Sequence, residues 1–164
     1  MLPSIDILFN SPIAEELNDN EIKLIWAILD VHDYRAGEVI ATSCDSVPDN
    51  LYLLVSGSIE VRVRSKEGLN SFRVINPGEL ANVLAFTGGT ITGVCTSLHA
   101  EDDTRVLSLR RSRFEKLIFT HPSVVYRFSL GLIRYIHRVM RLLNTDLIKL
   151  EEKIVCPGML CRMV

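Results

Sequence analysis

The sequence predicts a mainly β fold, an antiparallel barrel or jelly roll, with helices before and after it. Three observations carry this. Short apolar stretches alternate with turn formers from Asp33 to Leu109, the mark of many short strands joined by tight turns. Ahead of that region, Ile22, Ile25, Trp26 and Leu29 recur at helical spacing. Behind it, a seam from Val125 to Ile154 repeats at steps of three and four, too long for one small barrel to cover and usual for a helix–helix interface.

Composition sets the outer limits. A chain of 164 residues, 48% hydrophobic and 23% charged, suits one folded domain with one long appended element. A net charge of −2 argues against bulk attraction to nucleic acid or to an anionic membrane. No apolar run is long enough to span a bilayer. The start, Met1 to Asp6, lacks the basic region of a signal peptide, so a cytoplasmic location is expected. Cys44, Cys95, Cys156 and Cys161 show no metal-type pairing, and free thiols are expected.

In chain order, Met1 to Asn10 is a lead-in, with Phe9 and Leu17 expected to plug into the core. Ser11-Pro12 followed by Glu15 resembles a helix start, with Ser11 as cap and Pro12 at the first helical position. Asp19 begins a second start, and a helix is predicted from about Asn20 to Leu29. Trp26, the only tryptophan, is read as a packing anchor. From Tyr34 to Ile40 the chain reads strand, turn, strand, and Cys44 to Asn50 is a loop of turn formers. Leu51–Val55 is a strand and Ser56-Gly57-Ser58 a tight turn. Ile59, Val61 and Val63 then alternate with Glu60, Arg62 and Arg64, a half-buried strand with its charges outward. Lys66 to Asn70 turns the chain again, and Phe72, Val74 and Ile75 form the next strand.

Asn76 to Val94 is the stretch of greatest interest. Pro77-Gly78 is a turn pair, Leu80 to Phe86 a short apolar run, and Gly88-Gly89 follows. Backbone so rich in glycine can approach a ligand closely or cradle an anion. Yet no lysine or arginine lies between Arg73 and Arg105. A pocket built here lacks a local cation for a phosphate. Val94, Thr96 and Leu98 then alternate as a strand, Glu101 to Asp103 is an acidic turn, and Val106–Leu109 closes the β region. A helix from Arg111 to Thr120, with Ser112 as its cap, ends at His121-Pro122. The last and longest helix runs from about Ser123 to Ile154, with Arg127, Arg134, Arg138 and Arg141 off its seam and solvated.

The series Tyr34-Arg35-Ala36-Gly37-Glu38-Val39-Ile40, Asp45, Asn50 to Val61, Pro77-Gly78-Glu79, Asp103 to Leu107 and Phe114 resembles, in this order, the cyclic-nucleotide-binding domain of the catabolite activator and FNR regulator family. The similarity covers roughly Phe9 to Ile154. It implies a double-stranded β-helix, a jelly-roll relative, over residues 1–122, a dimerisation helix over 123–155 and a tail over 156–164. It also implies a parallel homodimer through that helix, and the apolar seam places Leu132, Ile136, Val139, Leu143, Leu147 and Leu150 at the interface.

In that family the Pro-Gly-Glu turn is followed by a phosphate-binding cassette reading Phe-Gly-Glu-Leu-Ala and then an arginine. The carboxylate takes a ribose hydroxyl and the arginine pairs with the cyclic phosphate, a task suited to a guanidinium fork. Here Phe-Gly-Glu becomes Ala81-Asn82-Val83, followed by Leu84-Ala85. The arginine position falls on Ile91, Thr92 or Val94, depending on where the loop gap is placed. A rival register, Gly78-Glu79-Leu80-Ala81, recovers the carboxylate at Glu79 but not the arginine. The first register is preferred, because Pro77 directly precedes Gly78. Losing charge-assisted bonds of roughly 1.5–3 kcal/mol should weaken a cyclic nucleotide by on the order of tenfold to several-hundredfold.

The expectation is therefore a non-enzymatic, dimeric regulatory or sensor module that does not bind cyclic AMP or GMP in the family's usual way. Its candidate ligand-binding residues are Glu79, Asn82, Val83, Leu84, Ile91 and Thr92, with Leu80 and Phe86 adding apolar lining. Its ligand would be a different small molecule or a partner protein. The alternatives are a structural or protein-interaction module whose pocket is self-filled, or the sensor part of a transcription regulator. Too few residues follow Ile154 to build a recognition helix, so this chain is not expected to bind DNA directly. No metal or cofactor is expected. His32, His99, His121 and His137 lie far apart without a His-x-His pair. A haem would need Cys44, Cys95 or His99 as its axial ligand, and an N-terminal cysteine cluster for iron–sulfur is lacking.

Overall fold

Two four-stranded antiparallel sheets face each other, one ordered β1-β8-β3-β6 and the other β2-β7-β4-β5. The strands are β1 (Asp30–Tyr34), β2 (Val39–Thr42), β3 (Asn50–Ser56), β4 (Ile59–Ser65), β5 (Gly68–Val74), β6 (Leu80–Ala81), β7 (Cys95–Ala100) and β8 (Thr104–Arg110). The helices are α1 (Asp6–Phe9), α2 (Asp19–Trp26), α3 (Val83–Phe86), α4 (Arg111–Thr120) and α5 (Pro122–Val155), with a 3₁₀ turn over Pro12–Ala14. A computed structural model describes residues 3–43, 49–66, 68–88 and 94–155, with residues 146–155 described by their backbone alone. The mainly β jelly roll with flanking helices and a long last helix is the architecture the sequence predicts.

The two sheets differ in burial, and their sequences say why. Helices cover the outer face of the first sheet, so β3 is apolar on both sides. Leu51 and Leu53 join a core with Leu8, Ile13, Ile25, Phe114 and Phe128, while Tyr52 and Leu54 point into the roll beside Ile59, Val61 and Leu98. A strand buried on both faces loses the polar alternation of a half-exposed one. The second sheet is solvated outside. On β4, Ile59 and Val61 are buried, whereas Arg62 turns outward and pairs with Glu60 at 2.7 Å.

Tight turns fix the register. Gly57 has φ +85°, and a Cβ there would lie 2.6 Å from the Asp103 carbonyl oxygen. The Ser58 N–H donates to Asp102 Oδ1 at 2.7 Å, and the buried Thr104 hydroxyl lies 2.9 Å from the Ser58 carbonyl. The β3–β4 turn is thereby clamped to the acidic turn before β8.

The N-terminal helices and α4 pack with α5 over the outer face of the first sheet. Asn18 caps α2 through a reciprocal box with Glu21, at 3.0 and 2.9 Å. Phe86, Phe114 and Phe128 form an aromatic cluster, with the last two ring centres 4.5 Å apart. Gly131 lets α5 approach the 3₁₀ turn closely: a Cβ there would meet Ile13 O at 3.1 Å. Three ion pairs hold α5 to the N-terminal segments: Arg127–Glu21 at 3.2 Å, Arg138–Glu15 at 2.7 Å, and Arg134–Glu16.

Several local expectations change. Leu8, not Phe9, fills the core, and Phe9 is partly exposed. Ser11 precedes only a 3₁₀ turn, and its hydroxyl donates back to Leu8 O at 2.7 Å rather than capping forward. Ser112 is not the cap of α4: β8 runs straight into the helix and Arg110 occupies that position. The α2 helix ends at Trp26, and the chain is already extended by Asp30. The off-seam arginines 127, 134 and 138 are exposed as expected, and each also pairs with a glutamate. Cys95 is disulfide-bonded, so the expectation of free thiols fails there; Cys44, Cys156 and Cys161 lie outside the described residues. No described helix is long and apolar enough to cross a membrane.

Candidate functional site

A cavity of about 490 Å³ opens inside the roll. One wall is the inner face of the second sheet: Val61 and Val63 of β4, Phe72 and Val74 of β5, Thr96 and Leu98 of β7. The floor is Leu80 and Ala81 of β6 with the start of α3. The roof is α5, through Tyr135, Ile136, Val139, Met140 and Leu143.

The turn into α3 shapes the floor. Asn82 has φ +65°, the one left-handed non-glycine residue among those described, a conformation asparagine tolerates better than most. Its Nδ2 donates to Asn50 O at 2.8 Å, tying the turn to the start of β3. At the other end of α3, Arg111 Nη2 donates to Ala85 O at 2.7 Å. The short helix is thus held at both ends, with Phe86 turned away from the cavity into the aromatic cluster.

The sequence-predicted site residues divide. Asn82, Val83 and Leu84 line the cavity, and Leu80 joins them. Glu79 does not. Its carboxylate accepts from the backbone N–H of Asn76 at 3.1 Å and of Ile75 at 3.3 Å, and from Asn76 Nδ2 at 2.7 Å. It stabilises its own turn. Ile91 and Thr92 lie outside the described residues.

The predicted dimer face also divides. Leu132 is 4% exposed and sits in the chain's own core, which removes it from any interface. Ile136, Val139 and Leu143 line the cavity roof. The side chains of Leu147 and Leu150 lie outside the described residues.

The sequence reading missed the wall from β4, β5 and β7, and Tyr135 and Met140 in the roof. The inward alternation of Val61 and Val63 was the available signal. Tyr135 is partly buried, which pushes its phenol pKa up, and its hydroxyl donates to Leu80 O at 3.3 Å.

Electrostatically the cavity is bare. Among the described residues no charged side chain lines it. Residues 89–93, Gly-Thr-Ile-Thr-Gly, carry no charge by composition. Arg62 pairs with Glu60 and Arg73 with Glu101 at 2.8 Å, while Arg111, at the end of α3, donates Nη2 to Ala85 O and keeps a buried Nε without a partner among the described residues. No group of metal-ligating side chains assembles among the described residues. Of the three conceivable haem ligands, Cys95 is held in a disulfide, His99 Nε2 lies 3.0 Å from the Ser97 hydroxyl, and Cys44 is outside the described residues.

Residues 31–121, over half of the chain, match the family model described as cyclic nucleotide-binding domain. The chain belongs to that family. Members are regulatory domains, generally non-enzymatic, and the resemblance to catabolite activator and FNR-type regulators holds at the level of fold. The Thermus thermophilus catabolite activator protein is 26% identical with a TM-score of 0.63, over 87% of this chain and 65% of that one. The chain thus spans just under two thirds of that relative's length. A cyclic nucleotide-binding domain from Methylobacillus flagellatus has a TM-score of 0.72 at 17% identity, over 97% of this chain and 90% of its own. The regulatory subunit of a cAMP-independent protein kinase A from Trypanosoma cruzi, bound to guanosine, has a TM-score of 0.60 at 21% identity, over 84% of this chain and 49% of its own. No curated protein matches the sequence significantly.

Proposed function

We propose that this chain is a dimeric, cytoplasmic sensor module without enzymatic activity, whose roll cavity receives a small molecule other than a cyclic nucleotide. The uncharged cavity lining carries this reading. A cyclic phosphate placed there would lose its hydration and meet no guanidinium among the described lining residues, and an unpaired buried charge is costly. Glu79, the residue that could have held a ribose hydroxyl, is occupied in its own turn. The open volume argues against a roll filled by its own side chains. The trypanosomal neighbour, cAMP-independent and bound to guanosine, is a precedent in the same fold for a ligand without a phosphate.

The dimer reading is supported by α5. Ile133, Met140 and Leu143 are each more than half exposed, and with Ile136 they fall at alternating steps of three and four. Leu147, Leu150 and Ile154 continue that spacing in sequence. The interface face is therefore shifted from the predicted seam, with Ile133 in place of the buried Leu132.

A second reading is the sensor portion of a transcription regulator. Its support is the 65% share of the Thermus protein that the chain spans. Titration calorimetry with cyclic AMP and cyclic GMP tests the main reading. No heat at low-micromolar nucleotide is expected, and low-micromolar binding that disappears in Asn82→Asp would overturn it.

A further inference from the structure

We infer that the roll cavity selects an uncharged, largely hydrocarbon molecule bearing a single hydroxyl-type group, and rejects anions. This rests on the reading that the cavity is a ligand site and narrows the ligand to one chemistry. Branched aliphatic side chains dominate opposite walls: Val61, Val74 and Leu98 from the sheet, Ile136 and Val139 from α5. Polar side chains reach the cavity at few points among the described residues, and their donors are largely committed. Ser43 Oγ donates to Thr96 O at 3.2 Å and accepts from Thr96 N–H at 2.9 Å. Tyr135 spends its proton on Leu80 O at 3.3 Å. Asn82 Nδ2 donates to Asn50 O at 2.8 Å.

Side-chain donors spent in this way, with no cation beside them, discriminate by charge and by the direction of the hydrogen bond. The hydroxyl oxygens of Tyr135 and Thr96 retain lone pairs, so a ligand O–H can donate to them. A carboxylate or phosphate is acceptor-only and meets no cationic side chain among the described residues that line the cavity. A polar nucleoside would leave most of its own donors and acceptors against aliphatic walls, each a loss unless paired. The volume of about 490 Å³ lies within the range usual for small-molecule sites.

The test uses the full chain, freed of co-purified lipid, with the uncharged dye Nile red as fluorescent probe at pH 8. Displacement is measured with 1-dodecanol, dodecanoate, guanosine and cyclic AMP. One dye per chain is expected, displaced by 1-dodecanol, with dodecanoate at least tenfold weaker and the other two inactive. Val139→Trp, filling the roof, should abolish dye binding with an unchanged circular dichroism spectrum. Should that variant fold poorly, Leu84→Trp, at an exposed position on the cavity floor away from the α5 interface, gives the same readout. Dodecanoate, guanosine or cyclic AMP competing as well as 1-dodecanol would overturn the inference while leaving the cavity a ligand site. If neither the dye nor any of the four compounds binds, the inference and the sensor reading fall together.

Discussion

Tyr135 of α5 donates its hydroxyl to the carbonyl of Leu80, 3.3 Å away on the short strand β6. Both residues line the cavity. The bond links the helix that roofs the cavity to the strand that floors it, so one tether spans the two walls. Strand β6 is itself held to β3 by the Tyr52–Ala81 and Leu53–Leu80 pairs, which gives the tether a fixed end.

Tyr135→Phe removes the tether and leaves the ring. A loss of about 1 kcal/mol is expected, the net worth of one partly buried hydrogen bond, read from the urea midpoint at constant m-value. An unchanged midpoint would show that the bond contributes nothing. Because burial holds the phenol pKa up, the wild-type advantage is intact below the unfolded value of about 10 and fades as pH rises through the folded one.

Gly57 and Gly37 make a matched pair. Both have φ +85°, but a Cβ at Gly37 meets nothing within 4 Å, whereas at Gly57 it strikes Asp103 O and Thr104 Oγ1 at 2.6 Å. Gly37→Ala should cost only the left-handed backbone term, about 1–2 kcal/mol. Gly57→Ala should cost about 1–3 kcal/mol more. Equal shifts in thermal midpoint would reject the clamp between the two turns.

Gly131→Ala probes the approach of α5 to the 3₁₀ turn. Its Cβ would meet the Ile13 carbonyl and Cα at 3.1 and 3.2 Å, backbone atoms that cannot rotate aside. Alanine favours a helix by about 1 kcal/mol over glycine, so the substitution would normally stabilise. Here overpacking should reverse the sign, and a raised melting temperature would contradict the close contact.

Acid should destabilise the fold in two steps. His99 is held below its ordinary range, first by burial and then by the Arg62 charge. Its contribution is present above about pH 6.5 and is lost as pH falls through the folded value, because the unfolded chain takes up the proton first. Asp33 and Glu60 are held low by hydrogen bonds from Arg105 and Arg62. They act in the same direction below about pH 4.5, weakly because Asp33 is exposed and Glu60 still reaches solvent. His99→Gln should flatten stability between pH 5 and 7 and leave the lower step intact. A wild-type slope in that variant would assign the upper step to another group.

Leu143→Glu and Ile133→Glu should each move the protein toward monomer in sedimentation. Both side chains are more than half exposed in the single chain, so folding should survive. A mass identical to wild type in both variants would reject α5 as the interface.

Much of the roll was legible because burial leaves a local record. The alternation of Ile59, Val61 and Val63 with Glu60, Arg62 and Arg64 marked a sheet face in water, and the unbroken Leu51–Val55 run marked one covered on both sides. Helix α5 was legible in extent but not in orientation. Its period says that one stripe is buried, not what buries it. The helix changes neighbours along its length, from the outer core at Phe128 and Leu132 to the cavity at Ile136 and Val139. The missing guanidinium could be read directly, since no lysine or arginine occurs over that stretch. Glu79 misled because a Pro-Gly turn needs its own acceptor for two backbone donors, and no local pattern separates that role from ligand contact. The cavity wall draws on Val61, Phe72 and Leu98, which only the folded topology brings together.

All three arginines that moor α5 find their glutamates within the first 21 residues. Leu8, Ile13, Ile22 and Ile25 of the same opening segment are buried beneath that helix or beside it. The family match runs from residue 31 to 121 and so omits both sides of this joint. A protein trimmed to those limits would keep the strands, short only of Asp30 at the start of β1, and forfeit the cover on one sheet, exposing Leu51, Leu53, Leu107 and Leu109 as a greasy, self-adhesive surface. The smallest autonomous unit is therefore set by the opening segment and α5, whose ends lie far apart in the chain and must meet before the roll has an outside.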